Sequence, residues 1–195
     1  MRKAERTKQF IVEQTATLFN KKGFAATSLS DMISATGLTK GSIYGNFSNK
    51  DEVALAVFDY NLSILNGIIS AELEKRSTFK AKLRTYVEVY SNFSRFPFPE
   101  GGCPVMNTSI EADDTHPQLS ERAKDAILSW KSGIAQLISQ GIANNEFQNT
   151  VNSKQAAFTI IALIEGSMMI ASITKSESNR KLIMQSLDAY IEGLC

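Results

Sequence analysis

Residues 27–50 read TSLSDMISATGLTKGSIYGNFSNK, and their polar side chains are mostly hydrogen-bond donors rather than parts of a catalytic set. Thr27, Ser28, Thr39 and Ser42 carry hydroxyls, Lys40 and Lys50 carry ammonium groups, Asn46 an amide and Tyr44 a phenol. Groups of this kind neutralise phosphates and read the edges of bases. Thr27, Ser28, Lys40, Tyr44 and Lys50 are expected to position phosphates. Thr39, Ser42 and Asn46 are expected to reach base edges. Gly41 leaves room for backbone to approach a phosphate. Lys50 stands at the start of a helix, where backbone N–H groups and the helix dipole already favour an anion.

These residues need short helices to hold them, and the stretch supplies the punctuation. Ser28-x-x-Asp31 is a capping-box pattern, after which Leu29, Met32 and Ile33 recur at helical spacing. Gly37 suits the left-handed residue at which a helix stops. Thr39 can cap a second helix over 40–44, and Asn49-x-x-Glu52 opens a third from Lys50. Helix, glycine-containing turn and helix is the helix-turn-helix plan, whose second helix enters the major groove. Each cap alone would fit a plain three-helix packing unit. Three caps close together, with glycine and lysine where a groove-binding helix needs them, favour the DNA-reading plan.

Phe19-x-x-x-Gly23-Phe24-x-x-Thr27-Ser28, followed by Gly37-Leu38-Thr39-Lys40-Gly41-Ser42-Ile43-Tyr44-x-x-Phe47-x-x-Lys50, resembles the TetR (tetracycline-repressor-like) transcriptional regulators. The resemblance covers about residues 5–65. It implies a DNA-binding motif over 28–47, a C-terminal inducer pocket and a dimer closed by a four-helix bundle. One departure is that Gly45 and Asn46 stand where many members carry larger side chains. Gly45 also lowers helix stability by about 1 kcal/mol relative to alanine.

Charge supports a polyanion partner once it is divided along the chain. Residues 1–50 carry eight basic side chains (Arg2, Lys3, Arg6, Lys8, Lys21, Lys22, Lys40, Lys50) against Glu5, Glu13 and Asp31, which leaves +5. The remainder has 13 basic and 17 acidic residues, which leaves −4. A basic N-terminal module on a carrier that is not basic is the pattern expected for binding double-stranded operator DNA. Residues 1–6 could lie along phosphates or a minor groove, or simply fray. The 195-residue chain is long enough to bury a core without disulfides, and Cys103 and Cys195 make no disulfide framework. MRKAERTKQF has no apolar core of a signal peptide. A cytoplasmic protein without a membrane span is expected.

The whole chain reads as all-α, with about nine helices and no strand alternation. The helices are expected over about 6–22, 28–36, 40–44, 50–75, 79–95, 105–112, 117–144, 153–174 and 177–193. The domain division is expected at 48/49: a helix-turn-helix head over 1–48 and a ligand-binding, dimerising body over 49–195. The run over 156–173 is apolar but interrupted by Glu165 and hydroxyl residues, so it reads as a buried helix. Ala162-x-x-x-Gly166 and Ser167-x-x-x-Ala171 put small residues on its faces, and residues 153–193 are the expected homodimer seam. Phe58, Leu62, Tyr86, Tyr90, Phe93, Met106, Trp130, Phe158 and Met169 are the candidates for lining a pocket for a small, largely apolar ligand. An ordinary packed core is the alternative for each. A ligand in this body is expected to tilt the helix that starts at Lys50 and change the separation of the two heads.

Cys103, in a Gly-Gly-Cys-Pro loop, is a candidate redox or electrophile sensor if a helix N-terminus lowers its thiol pKa. Glu111, Asp113, Asp114 and His116 form one cluster that could hold a metal or do acid–base work, although a capped turn explains them as well. With a single histidine, no nucleophile elbow and no phosphate-cradling glycine loop, no enzyme, metal or cofactor is expected.

Overall fold

The computed structural model describes residues 3–195, and among them all regular structure is helical. The helices are α1 (Lys3–Ala26), α2 (Leu29–Thr36), α3 (Lys40–Tyr44), α4 (Lys50–Leu73), α5 (Phe79–Ser91), α6 (Pro104–Ala112), α7 (Pro117–Ala143), α8 (Ser153–Thr174) and α9 (Glu177–Glu192), with a 3-10 turn at Phe93–Arg95. Of the expected basic arm, Met1 and Arg2 lie outside the described residues.

Two helix ends differ from expectation for local reasons. Gly23 breaks the first helix at φ 81°, ψ 174°, as its place after Lys22 predicts, and a further helical segment carries α1 on to Ala26 across that kink. The fifth helix stops at Ser91 because Asn92 leaves helical geometry, with its side-chain amide donating back to the Glu88 carbonyl at 2.8 Å.

The chain forms two compact units. One takes the residues up to Leu65 together with Pro99–Lys124, and the other takes Asn66–Phe98 with Asp125–Cys195. Packing therefore groups the chain differently from the expected division at 48/49, because α6 and the start of α7 return to the N-terminal helices. Ile11, Val12 and Phe19 of α1, Met32 of α2, Ile43 of α3, Phe47, and Val53, Val57 and Leu65 of α4 are buried. Each such side chain contributes about 1.5–3 kcal/mol through burial.

Polar bonds then tie residues 99–124 to α1. The Asn20 amide donates to the carbonyls of Glu100 and Gly102 at 2.7 and 3.0 Å. The Asn107 amide donates back to the Asn20 carbonyl at 3.0 Å. Glu111 accepts the backbone N–H of Phe24 and of Ala25, each at 2.8 Å. A Cβ on Gly23 would collide with the Glu111 carboxylate, and the positive φ there already favours glycine.

In the second unit α8 and α9 form a tight helical hairpin, closed by Lys175 in the left-handed conformation at φ 51°. Ile160, Ile164 and Met168 of α8 face inward, as do Met184, Leu187 and Ile191 of α9. Along α5 and α9, Arg84 pairs with Asp188 at 2.8 Å and Lys80 with Glu192 at 2.7 Å. These pairs are largely solvent-exposed and set alignment more than stability.

Glu111→Ala removes the carboxylate that accepts the N–H groups of Phe24 and Ala25. We expect it to lower unfolding stability by about 1–3 kcal/mol in a urea titration. Glu111→Gln, which keeps one oxygen, should lose less.

Candidate nucleic-acid interface

The reading segment is built by its caps. The Ser28 hydroxyl oxygen accepts the Asp31 N–H at 3.1 Å while the Asp31 carboxylate accepts the Ser28 N–H at 2.9 Å, which closes the capping box of α2. The Asp31 carboxyl is held down at about 2, first by the Lys22 ammonium 2.8 Å away and then by the two Ser28 donors. Gly37 ends α2 in the left-handed conformation, with its N–H on the Ile33 carbonyl. Thr39 caps α3 by accepting the Ser42 N–H at 3.2 Å. Asn49 accepts the Glu52 N–H at 2.8 Å, and Glu52 reciprocates one residue further back than expected, on the Ser48 N–H at 2.6 Å. That contact is the leading reason the Glu52 carboxyl titrates below its ordinary range.

Gly45 has a local reason. A Cβ there would stand 2.9 Å from the Gly41 carbonyl, so a side chain would force the tight exit from α3 to shift. Asn46 completes the exit, its side-chain amide donating to the Ser42 carbonyl at 2.8 Å. The departure from bulkier residues thus goes with a helix of five residues that ends at Tyr44.

The predicted contact residues divide into exposed donors and internal ties. Thr39, Lys40 and Gly41 are exposed, while Ser42, Tyr44 and Asn46 are half-buried. Lys40 has no hydrogen-bond or ion-pair partner among the described residues. Ser28 is exposed, but its hydroxyl already serves Asp31. Thr27 is fully buried, and its hydroxyl donates to the Gly23 carbonyl at 2.6 Å, so it supports the turn from inside. Lys50 donates to the carbonyls of Phe24 and Thr27 at 2.9 and 3.0 Å, with its ammonium 4.1 Å from the centre of the Phe24 ring. These bonds draw the Lys50 ammonium inward. It braces the α1–α2 corner.

Two members of the acidic cluster prove to be braces on the same corner, a role the sequence did not signal. Glu111 holds the amides described above. The His116 ring meets Phe24 edge-on, with centroids 4.5 Å apart. Its Nδ1 accepts the Leu119 N–H at 3.2 Å, capping α7, which leaves Nε2 to donate to Asp51 Oδ1 at 3.1 Å. Asp113 and Asp114 are exposed, and no group of three metal-ligating side chains occurs among the described residues.

The other candidates fall as follows. Cys103 is at the N-cap of α6 and only 1% exposed, so its thiol is withheld from soluble oxidants. Phe58 is buried and Leu62 and Met106 half-buried in the first unit. In the second unit, Tyr90 and Phe93 both pack on Phe98, with ring centroids 5.6 and 4.0 Å apart. Burial raises the Tyr86 hydroxyl to about 12. The Trp130 indole donates to Asn66 at 2.9 Å. Phe158 and Met169 stand on the outer side of α8. They are 48% and 42% exposed, because the inward stripe of α8 passes through Ala157, Ile160, Ile164 and Met168 and leaves them on its other side.

Replacing Lys50 by methionine keeps the stem on Phe24 but deletes both hydrogen bonds. It should lower stability by about 1–3 kcal/mol by chemical denaturation. Lys40→Ala should leave stability within about 0.5 kcal/mol of wild type.

Comparison with known proteins agrees with this geometry. Residues 11–57 match the family model "Bacterial regulatory proteins, tetR family", and residues 80–187 match "Tetracyclin repressor-like, C-terminal domain". An uncharacterised HTH-type transcriptional regulator of Lactococcus lactis subsp. lactis is 30% identical over 93% of both chains. The crystal structure of a TetR-family regulator from Cytophaga hutchinsonii superimposes with a TM-score of 0.96 at 45% identity, over 100% of this chain and 97% of that one. A TetR regulator from Chloroflexus aurantiacus gives 0.93 at 36% identity, over 98% and 97%. With a DNA-reading head and a helical C-terminal half both matched, the chain belongs to the TetR family of transcriptional regulators.

Proposed function

We propose that this regulator is a repressor: a homodimer that occupies a two-fold-symmetric operator with α3 of each protomer in the major groove, and that a small, largely apolar ligand releases. The observation that carries the reading is Lys40. It is an exposed, unpaired cation in the first turn of a helix capped by Thr39 and followed by exposed Gly41. A solvated ammonium with no internal partner keeps its full charge for a phosphate. Thr39, Ser42, Tyr44 and Asn46 flank it as the remaining direct contacts, while Thr27, Ser28 and Lys50 act through the shape of the turn. The ligand can release DNA only by binding one arrangement of the protein better than the other. The site of action is the cytoplasm, where the chromosome is.

The dimer reading rests on apolar side chains that the second unit leaves in solvent. Ile173 is 73%, Leu182 61% and Phe158 48% exposed. A Cβ on Gly166 would meet nothing within 4 Å, so this part of α8 has space for a second chain to approach closely. Half-sites about one helical turn apart require such a pairing.

Gel shifts on the DNA upstream of the protein's own gene test the first half. Affinity should fall linearly with salt on logarithmic axes, and Lys40→Ala should make the slope shallower by about one per half-site. A flat salt dependence would defeat the assignment. For the second half, Ile173→Glu should give a monomer by sedimentation and weaken operator binding at least about tenfold, since one head then reads one half-site. A dimer that persists would place the seam elsewhere.

A further inference from the structure

The inward face of α9 carries one residue that does not belong in a core. Arg180 continues the stripe of Met184, Leu187 and Ile191 one turn toward the helix start, and it is only 5% exposed. Its guanidinium lies over the face of Phe93, 5.0 Å from the ring centre, and Phe98 stacks on Phe93 with an interplanar angle of 11°. Guanidinium does not discharge in proteins, so this position is a buried positive charge at any accessible pH. Its Nε and Nη2 are both buried and neither makes a hydrogen bond. Glu177, one turn earlier, brings Oε1 to 3.0 Å from Nη2 but is not aligned to accept, and its own side chain is 62% exposed.

The two unfilled nitrogens are the pair whose N–H bonds run parallel along one edge of the guanidinium. That edge matches the two oxygens of a carboxylate, and an arginine fork is the group best suited to such bidentate recognition. Beside it, Phe93 and Phe98, with Tyr90 packed on Phe98, offer an aromatic surface to an apolar body. We propose that Arg180 is the anion-recognising residue of the effector site, and that the effector is an organic monocarboxylate whose apolar part packs on the Phe93–Phe98 pair. This rests on the ligand-responsive reading above and sharpens it from an apolar ligand to an apolar acid. Until the acid arrives the arginine is a liability to the fold, which is how binding groups held in advance of their ligand behave. Glu177 holds the fork's outer nitrogen loosely and gives way to the ligand.

The test uses the full-length protein and a panel of benzoate, 3-phenylpropionate, hexanoate and decanoate, each beside its neutral primary amide. Binding is measured by calorimetry and unfolding by thermal scan, both without DNA. At least one carboxylate should bind saturably and at least tenfold tighter than its amide. Arg180→Met should abolish that preference yet unfold a few degrees higher than wild type in the absence of ligand, because a buried charge with two unfilled N–H donors has become a packed side chain. Arg180→Lys should lose most of the affinity, and Glu177→Gln should retain it. The idea is overturned if no carboxylate in the panel binds, if acid and amide bind alike, if Arg180→Met unfolds no higher than wild type, or if Glu177→Gln abolishes binding. A gel shift in parallel separates the two readings. DNA binding that only neutral amides release would sink the acid and keep the repressor, whereas carboxylate binding by a protein that never shifts DNA would do the reverse.

Discussion

Phe24 is the residue on which the geometry of the DNA-reading head turns. Its N–H goes to Glu111 of α6, its carbonyl takes the Lys50 ammonium of α4, and its ring packs against both that ammonium and, T-shaped, the His116 ring at the start of α7. Four residues later the capping box of α2 begins, so whatever fixes Phe24 also fixes where α2 and α3 start. A helix of five residues cannot sustain itself, since its nucleation cost is never recovered from its own hydrogen bonds. Its orientation has to be imposed by neighbours, and the Phe24 corner is where three of them converge.

That corner also shows how packing divides chemically similar donors between structure and ligand. Lys40 and Lys50 are both lysines at the start of helices. Lys50 has two carbonyls and a ring within reach and is drawn inward, whereas Lys40 has no such partner and stays in water. The threonines divide in the same way, with Thr27 bonded inside the turn and Thr39 exposed at the cap. A donor satisfied within the fold gains little from a phosphate, because the new bond only replaces the old one. Affinity for DNA therefore depends on the donors the fold leaves unsatisfied.

The second unit follows the opposite economy. Its α8–α9 hairpin buries an almost continuous apolar stripe, yet a cation interrupts the stripe at Arg180, and large apolar side chains stand in solvent at Ile173 and Leu182. Local rules of folding are broken at both places, with charge placed inside and hydrocarbon outside. Such breaks are tolerated where a ligand or a second chain completes the surface. In the first unit the buried polar groups at Thr27, Asn20 and His116 are all hydrogen-bonded.

The sequence alone determined the helices and their punctuation, because these depend on neighbours three or four residues away. Ser28 with Asp31, Thr39 ahead of Lys40 and Pro117 at the head of α7 all act within one turn, and the bounds of α8 at Ser153 and Thr174 follow from local periodicity. The spacing from Phe19 to Lys50 carried the family for the same reason. Tertiary structure alone decided which donors remain available, that Glu111 and His116 brace the head, and that Phe158 and Met169 face away from the inward stripe of α8. Those outcomes depend on partners such as Glu111 for Phe24, 87 positions apart, and Asn20 for Gly102, 82 apart. A linear pattern gives the face on which a side chain lies and its chemical type, but only the folded chain brings together the groups that satisfy it.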